Sequence, residues 1–260
     1  MLRVRILTAV FGIPLLGICL YYGGLLLQGL ILAAVIVGLV EFSRLLGPKV
    51  QYEYLFAAGL SFVLLTYGEL SDTKIAIWLF VQLFYFLVRN TVFAHKPFAA
   101  AENILGALYV AVPFSFMWLV RDHFGLWWSV YGLAITWATD TFAYFGGMRF
   151  GKTKLAPTIS PNKSVEGAIS GCVAGTVCGG GLALWLGQPL GFAVVVSFLL
   201  SIAGQLGDLS ESALKREKSV KDTGSILPGH GGILDRCDSL AFVMPLLYII
   251  LTVINVPTGP

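Results

Sequence analysis

Charge is scarce in this chain of 260 residues: Asp, Glu, Lys and Arg make up only 12%. Soluble domains carry roughly 25%. The shortage excludes an ordinary water-soluble globule, because the apolar residues fall in runs of about 20, longer than a soluble core needs. Cysteine is also sparse. Cys19, Cys172, Cys178 and Cys237 are the four, and none forms a C-x-x-C pair, so neither a zinc site nor a disulfide framework is supported. They read as small apolar side chains in helices. The N-terminal stretch MLRVRILTAVFGIPLLGICL lacks an A-x-A-like cleavage site, and further apolar spans follow. It is therefore read as a retained first helix rather than a signal peptide. No serine or cysteine stands beside a plausible base, which leaves covalent nucleophilic catalysis without support.

What the chain has in abundance is hydrocarbon. It is 57% hydrophobic, with a mean hydropathy of +0.83. Apolar windows fall at about 6–22, 25–43, 54–70, 74–93, 104–120, 126–148, 167–187, 189–207 and 239–256. The expected architecture is an all-α polytopic membrane protein of about nine transmembrane helices. Placing the N-terminus in the cytoplasm and alternating puts 15 of the 17 Lys and Arg on the cytoplasmic side, with only Lys74 and Arg121 opposite. That asymmetry is the positive-inside pattern. Residues 1–125 read as scaffold helices. Residues 126–260 read as a catalytic transmembrane region with two cytoplasmic loops, 149–166 and 208–238.

Several motifs have competing readings. GGMRFGKT, Gly146 to Thr153, fits the phosphate-loop pattern, but a membrane helix precedes it and Pro157 and Pro161 follow. A true phosphate loop needs a strand before it and a helix after it, so a glycine-rich helix exit is the better reading. Gly167, Gly171, Gly175 and Gly179 recur every four residues and lay a small-residue seam along one helix face, for packing within the chain or between protomers. Asp140 lies inside an apolar run, where an ionisable group usually faces a wet cavity or a bundle interior. Glu41 is similarly placed, and Arg44 three residues on suggests an ion pair. Ser164, before Gly167, does not complete a capping box. Glu166 suits a helix N-terminus, and Lys163 is free to meet an anion.

The strongest signal is KREKSVKDTGSILPGHGGILDRCDS, Lys215 to Ser239. Asp208 stands at the expected mouth of the eighth helix. Four cations follow within seven residues: Lys215, Arg216, Lys218 and Lys221. A Gly- and Pro-rich turn holding His230 cannot form a regular helix, and its glycines let backbone approach a ligand. Asp235 and Asp238 then lie three apart on one helical face. Carboxylates Asp208, Asp235 and Asp238 can converge on a hard divalent cation, with Asp140 as a further candidate. Magnesium prefers carboxylate oxygens, water and phosphates, and the cationic loop suits a polyphosphate. The chemistry suggested is metal-assisted transfer between phosphates.

The same residues resemble a known family. Ser212 to Asp238 is similar to the phosphatidate cytidylyltransferase (CDP-diacylglycerol synthase) signature, S-x-x-K-R followed by K-D, P-x-H-G-G and D-R-x-D. DTFAYFGG and ISPNKSVEG, between Asp140 and Gly167, resemble its earlier segment. Cys237 stands where an aliphatic residue or threonine is expected. The resemblance covers roughly residues 135–245. It implies transfer of the cytidylyl group from CTP to phosphatidic acid, magnesium dependence, a homodimer, and a bacterial inner membrane with the site facing the cytoplasm. No nucleic-acid partner is expected. A second, monovalent ion is a further expectation.

On this reading Asp208, Asp235 and Asp238 hold metal, while Lys215, Arg216 and Lys221 neutralise the triphosphate and the pyrophosphate. Asp222 and His230 order the loop or touch the nucleotide. Lys163 and Ser164 meet the lipid phosphate or the triphosphate, and Gly231, Gly232 and Arg236 complete the binding residues. The alternatives are a CTP-dependent polyprenol or phytol kinase, which would release CDP, and an anion transporter.

Overall fold

A computed structural model describes residues 2–47, 52–67, 72–93, 95–96, 98–224, 226 and 231–256. In chain order the elements are α1 (Leu2–Tyr22), α2 (Gly24–Leu46), α3 (Tyr52–Thr66), α4 (Asp72–Val92), α5 (Ala99–Phe124), α6 (Leu126–Phe150), β1 (Lys154–Ala156), β2 (Ser160–Ser164), α7 (Val165–Trp185), α8 (Leu190–Glu217), α9 (Leu234–Cys237) and α10 (Leu240–Val253). Each expected apolar window has its helix. Helices dominate because a backbone in hydrocarbon must satisfy its own N–H and C=O groups.

The chain is an all-α membrane protein. Among the described residues, five helices are long and apolar enough to cross a bilayer: α2, α4 from Lys74 onward, α5, α7 and α8. The apolar stretches Val10–Tyr22 and Leu240–Val253 are shorter. Two joints are abrupt. Gly23 (φ 63°) separates α1 from α2, and Gly125 (φ 91°) separates α5 from α6. A left-handed conformation at a single residue reverses the chain there, and only glycine takes it without a Cβ clash.

The glycine seam of α7 packs within the chain. A Cβ on Gly167 would lie 2.7 Å from the carbonyl oxygen of Ala143, and one on Gly171 2.7 Å from that of Thr139, both on α6. Further along, a Cβ on Gly175 would sit 2.7 Å from Ser201 Oγ and one on Gly179 2.8 Å from Ser197 Oγ, both on α8. The side chains of Thr139 and Ser201 meet at 2.7 Å, and those of Tyr131 and Ser197 at 2.9 Å. The seam is therefore covered, and the contact between protomers suggested for it has no open face to use.

Two boundaries differ from expectation. α8 does not stop near residue 207 but runs ten residues further, to Glu217. Its extension, DLSESALKRE, is rich in strong helix formers, and a helix can leave the bilayer without ending. Asp208, Lys215 and Arg216 therefore sit on a rigid helix, not in a loop. The segment after α6 is a two-stranded antiparallel hairpin pairing Lys154 with Ser164 and Ala156 with Ser160. α6 itself carries through Gly146 and Gly147 to Phe150. No strand precedes that motif, so it is a helix exit and not a phosphate loop.

Gly171→Val should force α6 and α7 apart and lower stability by about 1–3 kcal/mol, the usual cost of overpacking. Gly181→Ala, where the added carbon meets nothing within 4 Å, should leave the melting temperature in detergent unmoved. Equal melting of both variants would refute the seam.

Candidate active site

The polar residues gather where α6, the β-hairpin, α7 and α8 meet. A cavity of about 590 Å³ there is lined by Asp140 of α6, Ser160, Lys163 and Ser164 of β2, and Asp208 of α8, among others. Asp140 reaches solvent through this cavity, as expected of a carboxylate in an apolar helix. Lys163 is not free. Its Nζ lies 2.6 Å from Asp208 Oδ2, with both side chains about one-third exposed. Pairing the two offsets the cost of half-burying each charge.

Ser164 caps α7. Its Oγ accepts from the Gly167 N–H at 3.1 Å, so its oxygen serves the helix start. Glu166 folds back to accept from the N–H groups of Lys152 and Thr153 at 3.0 and 3.2 Å, tying the end of α6 to the start of α7.

Asp208 and Asp238 repel each other, and both act on Asp140. Burial, then the charge of Asp208, pushes the Asp238 carboxyl up to about 6. Ser239 donates its N–H to Asp238 Oδ1 at 2.7 Å, and its hydroxyl lies 3.5 Å from Asp140 Oδ1. The Asp238 carboxyl also faces Glu211, whose Oε1 is buried with no hydrogen-bond partner. Three acidic groups expected at the site thus do come together, but they are Asp140, Asp208 and Asp238.

Asp235 is placed elsewhere. Oδ1 accepts from Lys215 Nζ at 2.7 Å, and Oδ2 accepts from the Gly232 N–H at 2.8 Å and the Thr223 N–H at 3.0 Å. Burial acts to raise this carboxyl, but the Lys215 and backbone bonds outweigh it and hold it below its usual value. The expected convergence of Asp235 with Asp208 and Asp238 is not what the structure shows. The α9 turn aims residues three apart into adjoining networks. Among the described residues no three Asp, Glu, His or Cys groups surround one point closely enough to cage an ion.

Lys215 is likewise buried. Its Nζ bridges Asp235 and Glu211, the latter at 2.8 Å, rather than standing in a cationic loop. Arg216 is exposed and donates to the carbonyls of Ile159 (3.2 Å) and Val220 (3.0 Å), joining α8 to the hairpin. Lys221, Asp222 and Arg236 are exposed. Lys218 pairs with Glu102 of α5 at 3.2 Å. His230 lies outside the described residues.

The glycines of the turn stand against protein carboxylates. A Cβ on Gly231 (φ 85°) would lie 2.7 Å from Asp235 Oδ2, and one on Gly224 2.5 Å from Glu41 Oε1. Gly232 is closed off by Glu41 and Thr223. These positions are small so that protein carboxylates can enter the turn.

Glu41 is the residue that sequence reasoning placed wrongly. The expected pair with Arg44 does not form: Arg44 is exposed, while Glu41 is fully buried and turned to α9 and Thr223. Its signal was visible, a lone carboxylate in an apolar helix, but its partners lie more than 180 residues away. Glu211 was missed as well. Its spacing of four from Lys215, acid first, is the stabilising order on a helix.

A second, apolar groove of about 550 Å³ runs between α7 and α8, lined by Ile169, Val173, Val177, Phe198, Ile202 and Leu206 among others. It shares Leu155, Ala168 and Gln205 with the polar cavity, so the two adjoin.

Comparison with known proteins gives one answer. A model of the cytidylyltransferase family matches residues 3–254. A phosphatidate cytidylyltransferase of Bacillus subtilis (strain 168) is 40% identical over 227 residues, covering 85% of this chain and 79% of that protein. Those of Staphylococcus haemolyticus (strain JCSC1435) and Staphylococcus aureus (strain COL) are 35% and 37% identical, each alignment covering 96% of this chain and 99% of the relative.

Lys215→Met should be strongly destabilising, by about 3–5 kcal/mol, because it strands two buried carboxyls. Lys221→Met, at an exposed position, should change stability by less than about 0.5 kcal/mol. Thermal melts of the two purified variants, run side by side, check this.

Proposed function

The chain belongs to the cytidylyltransferase family, and from that membership we propose how its polar and apolar cavities divide the work. The reaction joins a water-soluble nucleotide to a membrane lipid. The enzyme transfers the cytidylyl group of CTP to phosphatidic acid, giving CDP-diacylglycerol and pyrophosphate. An oxygen of the lipid phosphate bonds to the α-phosphorus of CTP as the α–β bridging bond breaks, and the electron pair leaves with pyrophosphate. The attacking oxygen is already ionised near neutral pH, so no strong general base is needed. Positioning and charge neutralisation carry such a step.

One observation carries the site assignment: Asp140, Lys163 and Asp208 line the polar cavity, and the Asp238 carboxyl is close enough to act on both Asp208 and Asp140. The buried Glu211 Oε1 behind them has no hydrogen-bond partner, an unmet acceptor that a bound cation or its water would satisfy. Magnesium suits this donor set, since it binds through one or two carboxylates and takes its other ligands from water and substrate phosphates. Asp208 and Asp238 are the residues that would hold it, with Asp140 next. When bound it would offset the triphosphate charge. Asp235 belongs instead to the support of the α9 turn. Lys163 faces the acceptor phosphate across the cavity, and Arg216 and Lys221 meet the nucleotide from the exposed side.

The groove between α7 and α8 would take an acyl chain of the lipid. It is apolar, lies between two helices of membrane length, and adjoins the polar cavity. The proposal places the polar cavity on the cytoplasmic side of a bacterial inner membrane, where the excess of Lys and Arg lies. It includes a homodimer, with its contact away from the α7 glycines that α6 and α8 cover.

Asp208→Asn and Asp238→Asn should each lower turnover by about 10²–10³-fold while leaving a folded, extractable protein. The assay follows α-labelled CTP into the lipid fraction and γ-label into pyrophosphate. Full activity in either variant would remove that residue from the metal set, and γ-label entering an added polyprenol would favour a kinase instead. Val173→Trp should raise the KM for phosphatidic acid about tenfold, a methylene-scale pocket effect, with the KM for CTP unchanged. A matched rise in both constants would count against the groove.

A further inference from the structure

We propose that Glu41 is a positioning residue for the transfer: from the second helix, it sets the α9 turn and through it the placement of Asp238 against Asp208. This inference rests on the cytidylyl-transfer reading. Glu41 has no exposed surface. Its Oε1 accepts from the Ile233 N–H at 3.0 Å and its Oε2 from the Leu234 N–H at 3.1 Å. These are two of the N–H groups at the start of α9, which no side-chain cap satisfies from within. The Thr223 hydroxyl sits between the two carboxyl groups of the turn, 3.3 Å from Glu41 Oε2 and 3.0 Å from Asp235 Oδ2. One acid from the N-terminal half of the chain thus holds both ends of the segment from Thr223 to Leu234.

Packing points the same way. A Cβ on Gly38, one turn before Glu41 on α2, would lie 3.0 Å from Leu234 Cδ2. α2 therefore touches α9 by close packing as well as by hydrogen bonds. Val35 and Leu39 on the same helix are fully buried, so the carboxyl hangs from a fixed support. Gly224 and Gly232 lack side chains where Glu41 enters. Asp238 follows Leu234 by four residues and ends α9, so a shift of the turn moves it directly. A displacement of about 1 Å at a reacting site costs about 10²-fold in rate.

A buried acid with only a structural role would lower yield and melting temperature and leave turnover per folded molecule intact. Glu41→Gln keeps the shape but replaces one accepting oxygen by an NH₂ group, which cannot accept from the backbone. In purified full-length protein, with α-labelled CTP and phosphatidic acid, kcat should fall about 10–100-fold, while both KM values stay within about threefold. A wild-type kcat in folded Glu41→Gln would overturn the proposal.

A second test does not depend on the folding of that variant. A Cβ on Gly224 meets only Glu41 among its three nearest atoms. Gly224→Ala should therefore lose activity by pressing on the carboxyl, and Glu41→Asp, shorter by one methylene, should relieve it. The double variant should be at least about threefold more active than Gly224→Ala, a coupling expected only of residues in contact. If the two losses simply multiply, Glu41 does not seat the turn. Absence of lipid labelling by the wild-type enzyme would sink the cytidylyl-transfer reading instead, and is thus told apart from a failure at Glu41.

Discussion

One ammonium group makes the acidic half of this site tenable. Lys215 Nζ sits between Glu211 and Asp235, at 2.8 and 2.7 Å, in a protein that is mostly hydrocarbon. Isolated buried carboxylates are too costly to hold as anions. Bridged by a cation, the two join α8 to the α9 turn. Around them a chain of contacts runs from Glu41 on α2 through Thr223, Asp235, Lys215 and Glu211 to Asp238, Asp208 and Lys163. Six carboxyl groups, counting Asp140, share two lysines along it. The surplus of negative charge is not spread evenly. It falls at Asp140, Asp208 and Asp238, beside the cavity, which is where a cation and a polyphosphate suit it.

Much of this was legible in the sequence, for reasons that differ by feature. The helices were readable because length and apolarity decide them in a bilayer, with little competition from tertiary contacts. The seam of Gly167, Gly171, Gly175 and Gly179 was readable from its period, although the period could not say which neighbour it served. The motif residues were readable because their types and spacing are unusual in so apolar a chain.

Side-chain direction was not readable. Asp235 and Asp238 are three apart, and spacing alone puts them on one face. The turn is only four residues long, and the first acid is taken up by Lys215 and backbone N–H groups before it can reach the second. Lys163 looked unpaired because Asp208 lies 45 residues on. Glu41 looked paired because Arg44 is its nearest cation in sequence. In each case a long-range contact overrode the local one, and no local rule reports that.

The groove between α7 and α8 has an energetic consequence. It lies between helices of membrane length and shares lining residues with the polar cavity. Each methylene drawn from hydrocarbon into water costs roughly 0.8 kcal/mol. Lifting a tail of twelve such groups clear of the bilayer would cost about 10 kcal/mol, most of the free energy of a nanomolar complex. On the proposed use of the groove for an acyl chain, entry from the side avoids that cost. Acceptor and product can travel in two dimensions, tails never wetted, and only the headgroup changes surroundings.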